Sequence, residues 1–446
     1  MKSEQFLNHT LRIHPHGESI TRILAAAIDS VEPGLAVRRF LSFDGKSLTV
    51  SGKSFDIQGR VFALGIGKAA VAMTDSVAEI LGTRLERGLV VTKHIPESAS
   101  SGLEIIEGGH PVPDERSLAA GERVEGFIKQ LKADDLLICL ISGGGSALVT
   151  APRERISLED IQTLTTALLE CGARIDEINT LRRQLDRLKG GGLAGMAYPT
   201  QVISLILSDV VGNPLEAIAS GPTALDSTSS VDALNILHHY DLINNTPAVI
   251  VSVLKQAPAE RKTEIESLGH VLNVIVGSNL IAAQAALRQA ADEGFHPYLL
   301  RTDLQGEARE IAWDLSIQLR WAWRVGDPVP RPACIVAGGE STVTVHGEGR
   351  GGRNTELALA AVSELADFPE VMLVTLATDG EDGSTDSAGA VVSGETWRRG
   401  IELDLNAVEF LNRNDSYSYF NRLDDLLRPG PTGTNVNDLI FLFTFQ

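Results

Sequence analysis

Short apolar runs alternate with amphipathic stretches along nearly the whole chain, and almost every run empties into a glycine-rich or polar loop. In the first half the runs cover 60–64, 88–91, 136–141 and 202–207. In the second half they cover 272–276, 333–337, 342–345, 371–376 and 439–443. Apolar runs of this length read as buried strands. With helical stretches between them they give the βαβ pattern of a parallel sheet covered by helices, an α/β fold. The loops that follow are Gly65-Ile66-Gly67-Lys68, Ser142-Gly143-Gly144-Gly145-Ser146, Ser208-Asp209, Gly277-Ser278-Asn279, Gly338-Gly339-Glu340 and Thr378-Asp379-Gly380. Open α/β sheets bind ligands outside the carboxyl ends of their strands. Those ends are where this chain places its glycines, Lys68 and several acids.

A length of 446 residues corresponds to about two to three domains. The stretch 224–266 is polar, carries Pro247 and Pro258, and reads as the passage between domains 1–255 and 256–446. No apolar run approaches the ~20 residues needed to cross a bilayer, and the first residues lack the apolar core of a secretion signal, so a cytoplasmic protein is expected. Cys139, Cys171 and Cys334 have no metal or redox spacing. A formal net charge of −19 argues against nucleic acid and against an anionic membrane as partners. It leaves room for a phosphorylated ligand, since backbone dipoles and a few cations build an anion site locally.

Gly65-Ile66-Gly67-Lys68-Ala69-Ala70 follows a strand and opens a helix expected over 69–81. It matches the G-x-G-x-x-A dinucleotide pattern, but the next strand ends in Thr92-Lys93-His94 rather than in the acid that holds a ribose. The other reading is an anion site made of the Gly65 and Gly67 amides with Lys68. Ser142 through Ser146 suits a phosphate or carboxylate cradle, because three consecutive glycines are conformationally costly unless the backbone must approach a ligand. Asp209 ends a strand, where it serves either as a cap or as a carboxylate aimed at the crevice. His110 lies in a loop held by Pro111 and Pro113. The basic run 179–189 reads equally as a solvated face or as the lining of an anion entrance. Arg350 and Arg353 sit in a glycine-dense turn at a helix start, where a cation opposes the helix dipole; local conflict of this kind marks functional sites. The loop 377–389 packs Asp379, Asp382 and Asp386 among three glycines. It is either a solvated acidic turn or a site for Mg²⁺ or a substrate's polar end.

Seven segments, in order, resemble the glycerate 2-kinases, the family with the MOFRL C-terminal domain. They are 65–70, 108–114 (Gly-Gly-His-Pro-Val-Pro-Asp), 140–147, 208–212, Gly351-Gly352-Arg353-Asn354-Thr355-Glu356, the Asp379 loop and 432–439. Thr355 and Ser387 stand where the family pattern has Gln and Ala. The resemblance implies a Rossmann-like three-layer N-terminal domain and a smaller MOFRL domain, with the active site in the cleft between them. It implies ATP-dependent phosphorylation of the 2-hydroxyl of D-glycerate to 2-phosphoglycerate, with ATP and Mg²⁺ as cofactors. The partners are then glycerate and nucleotide, in a chain that forms a monomer or a homo-oligomer. Members also carry the label hydroxypyruvate reductase, an NAD(P)H-dependent activity, and this is the alternative. The family's catalytic Lys and Arg map to Lys68 and Arg353. With them we expect Asp209 to orient the hydroxyl and take its proton, with Asp379 as second candidate. Gly65, Gly67, Ser142, Gly143, Gly144, Gly145 and Ser146 are expected at the nucleotide phosphates, His110, Arg350 and Asn354 at the substrate, and Asp379 and Asp382 at the metal.

Overall fold

The computed structural model describes residues 1–96, 102–256 and 268–446. Pro258, named above in the inter-domain passage, lies outside the described residues. The chain forms two compact units, Pro33–Val276 and Met1–Glu32 together with Gly277–Gln446.

In the Pro33–Val276 unit, six strands form one sheet in the order Leu103–Glu107, Leu85–Thr92, Val61–Ile66, Leu136–Ile141, Gln201–Leu207, Val271–Gly277. Numbered along the chain this is 3-2-1-4-5-6, the doubly wound dinucleotide-fold order, and the first five strands pair in parallel. Alternate residues feed opposite faces. Phe62, Leu64, Leu89 and Val91 pack on the helix Glu115–Ile128, whereas Val90 packs on the helix Ala70–Leu81. Helices therefore cover both faces, which gives three layers. A second apolar cluster joins the helices Leu158–Glu170, Ile175–Leu185, Ser230–His239 and Ala248–Gln256.

The other unit has a mixed six-stranded sheet in the order His296–Glu307, Ala333–Thr342, Asp438–Thr444, Val371–Ala377, Gly389–Ser393, Leu426–Leu427. Its first pair is parallel and the rest are antiparallel. The βαβ expectation thus holds for one sheet and fails for most of the other. Residues 338–340 continue the strand rather than leaving it, and 343–345 add no strand of their own.

The units also divide the chain differently from the boundary expected at 255/256. Strand Val271–Gly277 completes the first sheet, so the changeover falls later. Residues 1–32 join the C-terminal unit because long-range bonds hold them there. Asn8 Nδ2 donates to Asp425 O (2.9 Å), the Thr10 N–H to Asp425 Oδ1 (3.1 Å), and Arg22 pairs with Glu293 (2.7 Å).

Candidate active site

Strands Val61–Ile66 and Leu136–Ile141 run side by side in register from Val61↔Leu136 to Ile66↔Ile141, so the two glycine loops open next to each other. This is where the strand order reverses, the switch point at which doubly wound sheets bind ligands. Gly67 has φ +133°, and a Cβ there would lie 2.2 Å from Ser142 Oγ, so only glycine fits. The loops are tied by backbone bonds: Lys68 N–H donates to Gly143 O (3.0 Å) and Ala69 N–H to Ser142 Oγ (3.0 Å).

The remaining glycines form a floor on which side chains converge. A Cβ on Gly143 would sit 2.0 Å from Asp209 Oδ2. One on Gly144 would sit 3.2 Å from His110 Cδ2 and from Lys68 Cε. Lys68, His110 and Asp209, scattered in sequence, therefore meet over Gly143 and Gly144. Gly65 and Gly145 have packing explanations instead. The missing Cβ of Gly65 admits Thr74 Oγ1 at 2.6 Å, and that of Gly145 admits Ala219 Cβ at 2.8 Å. Ser142 is buried, and its hydroxyl accepts the Ala69 N–H at the helix start. Ser146 Oγ lies 2.6 Å from Ser220 Oγ, and Ser220 in turn 3.4 Å from Asn179 Oδ1. Ala219 and Ser220 adopt φ +50° and +60°, a left-handed pair without glycine, and such strain is characteristic of functional loops.

Burial, together with the charges of Lys68, Lys93 and Arg182, pushes the His110 pKa down to about 4, so its imidazole is neutral at physiological pH. The basic run 179–189 is not a solvated face. Arg183 is buried and pairs with Asp226 (2.8 Å), and Lys189 is buried against Asp186 (2.5 Å) and Val149 O (3.0 Å). Arg182 differs from both. Its one hydrogen bond among the described residues is a long one to Asn179 Oδ1 (3.5 Å), and burial lowers its pKa with no acid to offset the cost. Beside Ser146 and Lys189 it lines a pocket, a desolvated guanidinium suited to an incoming anion. Arg182 and Asn179 belong to the run read from sequence as either a solvated face or an anion entrance, but nothing there separates Arg182 from Arg183 and Lys189. Ser220 was not singled out, and the non-glycine strain at 219–220 is visible only in the fold.

In the other unit, Asp438 opens the central strand opposite Gly339 on one side and Ala377 on the other. Arg353, the first residue of the helix Arg353–Leu365, forks onto it through Nε to Oδ2 (2.6 Å) and Nη2 to Oδ1 (3.2 Å). Its Nη1 donates to Glu340 Oε1 (2.7 Å). These acids balance the cation at the helix start. Asp438 and Glu340 were not singled out either, being 85 and 13 residues from their partner.

Asp382, expected at a metal, is a helix cap. Its Oδ1 accepts the Asn354 N–H (2.9 Å), and its Oδ2 accepts the Thr355 N–H (2.8 Å) and Thr355 hydroxyl (2.7 Å). Both oxygens accept from the first turn of this helix, whose own N-cap residue, Gly352, has no side chain to do so. Thr355, the departure from the family pattern, thus gains a structural role. Asn354 is buried, with Nδ2 at 3.4 Å from the same carboxylate, and its side chain also hydrogen-bonds Asp438. Arg350 is exposed and stacks over Tyr417 at 4.0 Å. Asp379 is half-buried. Its pKa is raised chiefly by burial, against the Glu381 N–H and the Arg353 charge, which favour the carboxylate.

Burial also pushes the Asp438 pKa up to about 6, although Arg353 acts against it. A carboxyl raised in the folded state contributes stability that is complete below its unfolded pKa, near ~4, and is lost as pH rises through about 6. The expected result is a wild type that loses about 2–3 kcal/mol relative to Asp438→Asn between pH ~4 and ~7. Denaturant midpoints of both proteins across that range test it; parallel curves would show that Asp438 titrates normally.

A doubly wound sheet with Lys68, His110 and Asp209 over a glycine floor and a desolvated Arg182 in a neighbouring pocket, and a second sheet holding an Arg–carboxylate cluster, fit a phosphate-handling α/β enzyme. The comparisons with known proteins agree. Residues 19–255 match the family described as a domain of unknown function, DUF4147, and residues 333–438 match the MOFRL family. Glycerate 2-kinase of Pyrococcus horikoshii is 39% identical over 94% of this chain and 95% of its own. D-glycerate 2-kinase of Thermotoga maritima is 41% identical over 85% of this chain and 90% of its own. The crystal structure of the Thermotoga maritima glycerate kinase superposes with a TM-score of 0.86 at 37% identity, covering 95% of this chain and 98% of that one. The chain belongs to the glycerate 2-kinase family, with its MOFRL domain in the C-terminal unit.

Proposed function

We propose that the protein transfers the γ-phosphoryl group of ATP to the 2-hydroxyl of D-glycerate, giving 2-phosphoglycerate and ADP. The observation that carries this reading is the near full-length similarity to enzymes named for that reaction. The convergence of Lys68, His110 and Asp209 over Gly143 and Gly144 supports it.

Phosphoryl transfer asks for positioning and charge neutralisation more than for covalent chemistry. Gly67, Gly143 and Gly144 bring backbone close to the phosphates, and Lys68 supplies an exposed charge to the transferring group. Arg182, with Ser146, takes an anionic group, for which glycerate's carboxylate and a nucleotide phosphate are the candidates. Neutral His110 donates or accepts one hydrogen bond at the substrate without adding charge. Asp209 accepts the 2-hydroxyl proton as that oxygen bonds to phosphorus and the bond to the ADP oxygen breaks. Arg353, the match to the family's catalytic Arg, keeps two N–H groups beyond the three given to Asp438 and Glu340, and these are available to an anionic group.

Mg²⁺ usually keeps several waters and binds through one or two carboxylates and substrate phosphates, and the half-buried carboxylate of Asp379 fits that demand. Asp379 would hold it, Asp382 being committed to the helix. Bound there, Mg²⁺ would neutralise phosphate charge.

The reductase alternative is less favoured. Strand Leu85–Thr92 is followed by Lys93, whose charge reaches His110, where a dinucleotide site needs an acid. No helix among the described residues is long and apolar enough to cross a membrane. Glycerate-dependent ADP release from Mg-ATP is the direct test. Hydroxypyruvate-dependent oxidation of NADH or NADPH, with no ADP formed, would overturn the reading.

A further inference from the structure

The helix Ala308–Val325 is amphipathic in an unusual way. Its inner stripe, from Ala308 through Ile311, Leu315 and Leu319 to Ala322, is buried in the apolar core of the C-terminal unit. Its outer stripe carries large apolar side chains where a surface helix normally carries polar ones. Trp313 is 55% exposed, Ile317 39% and Trp321 54%. Spaced four apart, they stack along one face, and they include two of the chain's four tryptophans. The Trp321 Nε1–H donates to Asp327 Oδ2 (3.1 Å), so its polar group is already satisfied and its ring remains open to solvent. Exposed aromatic clusters of this kind mark interfaces.

The charges on the helix say what the partner is. Glu310 lies seven residues before Ile317 and Arg324 seven after; Asp314 lies three before and Arg320 three after. The first half of the face carries Glu310 and Asp314, with Arg309 beside them already paired to Glu356 (2.5 Å); the second half carries Arg320 and Arg324, and the middle is apolar. When such a helix meets an identical one antiparallel, about a twofold axis through Ile317, each acid faces a base. Each Trp313 also faces a Trp321. A twofold interface requires a self-complementary surface of this sort.

We propose that a second copy of this chain docks on this face, helix against helix, antiparallel about Ile317. Glu310 then pairs with Arg324 of the second copy at both ends of the contact. Arg320 already holds Glu364 at 3.0 Å, so its pairing with Asp314 adds less. A single pair of helices ~27 Å long covers less than the ~800 Å² per partner of a standard interface, so the contact is of micromolar strength.

Sedimentation of the full chain from about 1 to 100 μM tests this. The expected result is a concentration-dependent rise from 47.7 kDa to twice that mass. Ile317→Arg, which puts like charges on the axis, is expected to hold the protein at the monomer mass with an unchanged melting temperature. Glu310→Arg and Arg324→Glu are each expected to weaken association about tenfold, and the two together to restore it, because the swapped pattern remains self-complementary. A wild type that stays monomeric throughout would overturn the proposal. So would a dimer that survives Ile317→Arg, or charge-reversal effects that add rather than cancel.

Discussion

Lys68→Ala is expected to lose on the order of 10³-fold in turnover while keeping its fold. The two halves of that expectation come from different atoms. The structural bond at this position is made by the backbone, Lys68 N–H to Gly143 O at 3.0 Å, and alanine keeps it. The side chain is exposed and lies along Gly144 and beside His110, with no ion-pair partner among the described residues. Truncation therefore removes a charge from the glycine floor and little else. Melting should shift by no more than a surface substitution does, within about 0.5 kcal/mol. A loss below tenfold would remove Lys68 from the mechanism. Arg182→Gln offers the contrast. If Arg182 binds an anion equally in ground and transition states, its loss raises a KM more than it lowers kcat. Whether the raised KM is that for glycerate or for ATP tells which anion it holds.

Arg353→Ala should lose activity to a similar degree and also stability. Asp438 is buried and Arg353 is the cation that compensates it, through two bonds. Removing one partner of a buried pair costs about 3–5 kcal/mol, because the other charge is left uncompensated. The two losses are separable. Arg353→Met combined with Asp438→Asn removes both charges and should recover most of the stability, since an apolar replacement of a buried pair is often neutral. It should recover none of the turnover. Activity returning with stability in the double variant would make Arg353 a structural residue only.

Local patterns were legible where glycine and short apolar runs carry them. The strands expected at 136–141 and 371–376 and the helix expected over 69–81 form close to those bounds, whereas the meeting of the Gly67 and Gly143 loops depends on the strand order. What depends on distant partners was not. Asp379 and Asp382 share one acidic loop and look equivalent in sequence. Only the arrival of helix Arg353–Leu365 turns Asp382 into a cap. Arg182 and Arg183 are adjacent and alike, yet Asp226 reaches only the second. The edge strand His296–Glu307 went unseen because its residues are mostly exposed or half-exposed, leaving no apolar run to read. Residues 1–32 joined the far unit through contacts some 270 to 420 residues away, such as Arg22 to Glu293 and Asn8 to Asp425.

The most direct test of the central claim is to incubate the protein with D-glycerate and Mg-ATP, then pass the product to enolase with no mutase present. The account predicts phosphoenolpyruvate, because only 2-phosphoglycerate is a substrate for that dehydration. ADP release with enolase silent would mean phosphorylation at the 3-hydroxyl and would contradict the assigned regiochemistry; no ADP at all would contradict the kinase itself.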